Sequence, residues 1–238
     1  MLDVHPPHHA ATSWRDFSIH IATICVGLLI AIALEQSVEA IHRAHQRHIL
    51  EAALTHESEQ ILRDTTNVEN GETVHIHWLQ QYEAQVSAAA RDKNPLPPIP
   101  QKSGGGGWDV PSDPIYAAAK SSAKLDLLAD EDVIAYGEQD GLIVEVNAHY
   151  ETYDQTRKAL ETAVRRISYA KPNPATPFDR ATPAEMQDLY NKLLDYEQAA
   201  RGFRFWSRQA RGATVVMLQG ERDLHKIQAA ERQFDNVP

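Results

Sequence analysis

FSIHIATICVGLLIAIAL, residues Phe17–Leu34, contains no Lys, Arg, Asp or Glu, and its one basic side chain is His20. At about 1.5 Å per residue, eighteen helical residues span roughly 27 Å. That nearly matches a hydrocarbon core of about 30 Å. The stretch therefore reads as a transmembrane helix. Trp14 stands where an aromatic side chain meets the membrane interface. Ser13 followed three residues later by Asp16 suits the helix start. A buried helix of a soluble domain is the alternative, but no other segment is apolar enough to surround this one. A cleaved signal peptide would need a basic leader and an Ala-x-Ala exit. Here the leader, residues 1–16, holds one Arg, two Asp and three His, and the run exits through Leu34-Glu35-Gln36. An uncleaved signal anchor fits better. Arg15 before the run and Arg43 and Arg47 after it nearly balance the basic-residue rule. The expected orientation is leader inside and large domain outside.

Beyond the anchor, residues 35–238 carry 22 Lys and Arg against 31 Asp and Glu. An acidic surface argues against nucleic acid as a partner. The only cysteine, Cys25, lies inside the apolar run, so the domain holds no disulfide. About two hundred residues suffice for one domain with its own core.

Residues 35–92 read as a juxtamembrane stalk followed by the first bundle helices. Leu34, Val38, Ile41, His45, His48, Ala52 and Thr55 recur at steps of three and four, which is a helix seam. That seam places His45 and His48 where a neighbouring helix should shield them. Helix is expected from Ser13 to about Thr66, then again from Glu72 to Arg91. Residues 93–112, rich in Pro and Gly, read as a long exposed loop. Asp113 should cap a short helix opening at Pro114. The acidic run Asp130–Asp132 suits a helix start, with interruptions expected at Gly137 and Gly141. Ile143, Val146, Tyr150, Tyr153, Arg157, Leu160, Val164 and Ile167 form a clean seam. Thr182-Pro-Ala-Glu185 is a capping box. The last helix should run from there to about Arg232, with Leu189, Leu193, Tyr196, Ala200, Phe203, Trp206, Ala210, Ala213, Met217, Gly220, Leu224 and Ile227 on its seam. No convincing strand is present. The expected fold is all-α: the N-terminal transmembrane helix continues into a long-helix antiparallel bundle with a short helical hairpin insertion, residues 113–238 completing the bundle.

Three groups could carry chemistry. His42, His45 and His48 are spaced three apart, as imidazoles on a metal would be, but no HExxH motif accompanies them. They read better as a polar juxtamembrane belt. Arg201, Arg204, Arg208 and Arg211 share one helix face away from the apolar seam. They could grip an anion or an acidic partner, or simply face solvent or the domain's own acidic groups. Tyr150, Tyr153, Tyr196, Phe203 and Trp206 sit on seams and read as core, with a polar-lined pocket as the rival. No nucleophile elbow, phosphate loop, GxGxxG or CxxC occurs. No cofactor and no catalytic residue is expected.

GLLIAIALEQSVEAIHRAHQ, residues 27–46, resembles the end of the membrane helix in uncharacterised bacterial single-pass membrane proteins. DPIYAAAKSSAKLDLLADEDVIAYGEQDGL, residues 113–142, resembles a second pattern of such proteins: an aromatic residue, a small-residue helix turn, a Leu-rich segment and an acidic helix start. The two stretches cover about a fifth of the chain. The resemblance implies a bacterial membrane protein and brings no activity or site residues. The expectation is a single-pass protein of the bacterial inner membrane with a periplasmic helical domain. It would act as an interaction or scaffold protein, its partners the bilayer and another protein or a second copy. The alternative is an extracytoplasmic ligand-binding bundle that signals through a partner.

Overall fold

The computed structural model describes residues 14–92, 108–170 and 181–233. The leader and most of the Pro/Gly-rich loop expected at 93–112 lie outside them. Among the described residues there is no strand. The chain divides into two units, Met1–Leu50 and Glu51–Pro238.

Helix α1 runs unbroken over Trp14–Asp92. The expected break before Glu72 is absent. NVENG at 67–71 contains no proline, and Gly71, which costs a helix interior up to about 1 kcal/mol, is covered by an indole described below. In the first unit every described side chain from Trp14 to Ile49 is exposed. His45 and His48 are therefore not shielded. The buried side of α1 begins at Leu50 and continues through Leu54, Glu57, Ser58, Ile61, Thr65 and Val68. Ala52 and Thr55, which would have extended the expected seam, are exposed.

In the second unit, α1 is followed by α2 (Pro114–Ser121), a 3-10 turn at Lys124–Leu127, α3 (Asp130–Ala170), α4 (Pro183–Leu218) and α5 (Leu224–Gln233). Ala123 takes the left-handed conformation (φ 54°) that reverses the chain between α2 and the 3-10 turn. Helix α3 passes through Gly137 and Gly141 without a break. The Thr182 box forms as expected: the Glu185 N–H donates to Thr182 Oγ1 (3.2 Å), and the Thr182 N–H donates to Glu185 Oε2 (2.7 Å).

The last helix is not continuous to Arg232. Gly220 adopts φ +91°. Its N–H donates to Met217 O, and the Glu221 N–H donates to Val216 O, each at 3.0 Å. This is the paired closing pattern of a helix ending on a left-handed glycine. Helix α5 then folds back onto α4.

Cross-helix contacts set the directions. Gln139 meets Thr214 while Tyr153 meets Tyr196, so α4 runs antiparallel to α3. Ser58 meets Gln139 while His75 meets Tyr153, so α1 and α3 run parallel. A parallel pair needs a long connection, and residues 93–129 supply it. The core holds Leu54, Ile61, Val68 and Leu79 of α1, Val146 and Leu160 of α3, and Leu189, Leu193 and Phe203 of α4.

Candidate functional site

The bundle interior carries an unusual run of polar groups. At one level, Ser58 Oγ donates to Gln139 Oε1 (3.0 Å), and Gln139 Nε2 donates to Thr214 Oγ1 (2.9 Å). The Thr214 hydroxyl in turn donates to Ala210 O (2.7 Å). Ser58, Gln139 and Thr214 are all buried. This ladder ties α1, α3 and α4 together, and a fully satisfied buried network fixes one register.

Along the bundle from this ladder lies the most chemically distinctive group. Glu72 of α1 is 0 % exposed. Its Oε1 accepts the indole N–H of Trp108 at 2.6 Å. Its Oε2 is buried without a hydrogen bond of good geometry. Burial raises the Glu72 pKa from 4.5 to about 7, against the opposing influence of Trp108, Tyr153 and the Arg204 charge. Taking a carboxylate out of water disfavours its charged form. Both protonation states are therefore populated near neutral pH.

The surround is aromatic. His75, one turn after Glu72 and 1 % exposed, stacks on Trp78 (5.6 Å) and meets the ring of Tyr196 edge-on (5.1 Å). The Tyr196 hydroxyl donates to the Tyr153 hydroxyl at 3.0 Å. Burial lifts the pKa of both phenols, so both stay protonated. Phe203 closes the group against Tyr153 at 5.5 Å.

Trp108 reaches Glu72 because position 71 is glycine. A Cβ there would lie 1.7 Å from the Trp108 ring. The end of the GGGGW segment is thus held on α1 through close approach and one hydrogen bond. Gly202 plays a similar part for His149: a Cβ would lie 2.8 Å from Nδ1, and the imidazole stacks on Trp206. Of the aromatic side chains expected in the core, Tyr153, Tyr196 and Phe203 are buried, while Tyr150 and Trp206 are half-buried.

The arginine stripe does not form one solvent face. Arg208 and Arg211 both reach Glu69 of α1, at 2.9 and 2.8 Å. The Arg208 and Glu69 side chains are only 11 % and 15 % exposed. Arg204 Nη1 donates to Thr73 Oγ1 at 3.3 Å, and Arg201 binds Glu197 on its own helix. Between 207 and 214 nearly the whole circumference of α4 is buried, so a face that looks polar in sequence is packed against α1.

Two further carboxyl sites stand out. Glu83 has its pKa raised to about 7 by burial and by the neighbouring Glu197. Asp113 is raised to about 6 by burial, Asp140 and Glu57. Asp113 sits at the α2 cap position but makes no capping hydrogen bond. Glu57 of α1 caps α2 instead, accepting from the N–H groups of Ile115 (2.6 Å) and Tyr116 (3.0 Å). The expected local cap is thus replaced by a carboxylate from 58 residues away.

His42 pairs with Gln46 at 2.9 Å, and His45 and His48 are exposed. Among the described residues no group of three or more His, Cys, Asp or Glu converges on a point that could hold a metal ion. Glu72 does not stand out in the sequence, and His75 stands out only as one of the chain's clustered histidines. The signal was available: from Val68 they fall at steps of four and three, followed by Leu79 and Tyr82, so both occupy seam positions.

The class defined by these features is an all-α bundle with a closed polar-aromatic centre, joined to one helix long and apolar enough to cross a membrane. No protein-family model, curated protein or solved structure matches the chain.

Proposed function

We propose that this chain is a single-pass, membrane-anchored helical interaction protein, a scaffold or accessory subunit of the bacterial inner membrane with its bundle on the periplasmic side. The observation that carries the proposal is the state of residues 17–34. They have a mean hydropathy of 2.4 over eighteen residues and none of that window is buried. Side chains this apolar and this exposed call for lipid. In this reading the bundle is a closed, non-catalytic body and binding occurs on its surfaces. Carbonate extraction tests the anchor: the full chain stays with the membrane, and a chain beginning at Gln36 is released. Gly27→Arg should cost insertion about 2.5–3.5 kcal/mol. Retention of the shortened chain would refute the single anchor. External protease should digest the bundle in spheroplasts and spare it in intact cells.

A ligand-binding bundle that signals through a partner is the second reading. It is favoured by Glu72, His75, Tyr153 and Tyr196 gathered beneath Trp108. A small molecule retained in native mass spectra of the purified chain would support it. A fixed stoichiometric protein partner across several detergents would support the scaffold.

A further inference from the structure

Past Leu34, α1 continues as a single helix whose side chains stay exposed as far as Ile49 among the described residues. Glu35, Glu39, Arg43 and Arg47 place this stretch outside a hydrocarbon core. Lipid can cover residues 17–34 on every side. It does not serve Val38 and Ile41, which are 67 % and 71 % exposed. A lone amphipathic helix in water gains no stability from its apolar side.

The spacing identifies the cover. Ala31, Leu34, Val38, Ile41, His45 and His48 follow steps of three, four, three, four and three. Counted from Gly27, four residues before Ala31, the mean step is 3.5, the heptad seam of two supercoiled helices. It is narrower than the stripe a helix turns towards a mixed core. At about 100° per residue all six lie within roughly 60° of Gly27. Glu39, Arg43 and Arg47 fall on the opposite half, where Glu39 and Arg43 pair at 2.9 Å. The seam therefore presents no like acidic or guanidinium charges to an identical seam. Gly27 and Ala31, four apart, extend it into the apolar run, where small residues allow close helix approach. The buried face that starts at Leu50 does not continue this register.

We propose that residues 27–48 of α1 pair with the same residues of a second copy, parallel and in register, over about 32 Å. The inference rests on the anchored reading: two copies inserted with one topology can only pair in parallel. Polar side chains at seam positions, here His45 and His48, set register and helix number at some cost in stability.

The test is oxidative cross-linking of the full chain in isolated membranes. Cys25 is first replaced (Cys25→Ser). Single cysteines are then placed at Val38, Ile41 and His45 on the seam, and at Glu39, Arg43 and Arg47 off it. A disulfide needs Cα atoms within about 7 Å, which seam positions meet and outer positions, separated by both helix diameters, do not. Seam variants should give homodimer bands at least about tenfold stronger than outer ones, a difference of about 1.4 kcal/mol in pairing preference. Adding Val38→Glu with Ile41→Glu should reduce the cross-link through His45→Cys by a similar factor. Equal yields at all six positions, no cross-link at any, or a band of a different protein's mass would each overturn the proposal. Carbonate extraction of the same membranes separates the two failures. A chain that stays in the membrane without seam periodicity refutes only the pairing, whereas a chain that is extracted refutes the anchor.

Discussion

Replacing Glu72 by Gln should remove one part of the protein's pH dependence. Glu72 is fully buried, and its pKa rises from 4.5 to about 7 in the folded chain. The unfolded chain gives up this proton near 4.5, while the folded chain holds it to about 7. Between those values the folded state binds more protons, so stability falls as pH rises. The contribution is fully present below about pH 4.5 and gone above about pH 7. At about 1.4 kcal/mol per tenfold change in proton affinity, the full loss is about 3 kcal/mol. Gln keeps the shape and an oxygen for the Trp108 N–H, and it does not ionise. The two proteins should have similar stability at pH 4.5, and Glu72→Gln should be more stable by up to about 3 kcal/mol at pH 8. For a unit of this size that is roughly 6–12 °C in melting temperature. Thermal melts of both full-length chains in a mild detergent, followed by circular dichroism from pH 4.5 to 8, measure the difference. A difference that stays constant with pH, or shrinks as pH rises, would refute the assignment of Glu72 as a buried carboxyl with a raised pKa.

Four other substitutions probe separate features. Gly71→Ala improves helix propensity by up to about 1 kcal/mol yet drives a Cβ into the Trp108 ring; it should lower the melting temperature and increase acrylamide quenching of tryptophan fluorescence, and a gain in stability would count against the seating of Trp108. Arg208→Ala removes one of the guanidinium partners of Glu69 and should cost roughly 1–3 kcal/mol, while Arg201→Ala, at a side chain that is 42 % exposed, should cost less than about 1 kcal/mol; equal losses in urea titration would contradict the burial difference between the two arginines. Gly220→Ala meets no neighbour within 4 Å, so its cost is that of the backbone at φ +91°, about 1–2 kcal/mol by the same titration.

Features governed by neighbours within about one helical turn were legible from the sequence. The uncharged run at 17–34, the Thr182–Glu185 capping box and the three-four spacing of α3 from Ile143 to Ile167 all depend on residues a few positions apart. Composition and periodicity therefore identified an all-α chain and most of its helices. The candidate centre was only partly legible. Tyr153, Tyr196 and Phe203 announce themselves by seam spacing, whereas Glu72 and His75 are polar residues at seam positions that an apolar pattern overlooks.

What only the tertiary structure decided is which face of each helix is covered, and by what. Helix α1 has two candidate stripes, and local sequence cannot rank them: the one through His45 and His48 is open, and the one from Leu50 is buried because α3 and α4 supply its partners. Arg208 reads as a surface charge until Glu69, 139 residues away, meets it. Glu57 caps a helix 58 residues on, and Trp108 finds Glu72 across 36. Sequence fixes a helix because its backbone hydrogen bonds close four residues apart. Burial, and with it the raised proton affinity of Glu72, belongs to contacts that exist only once the helices have packed.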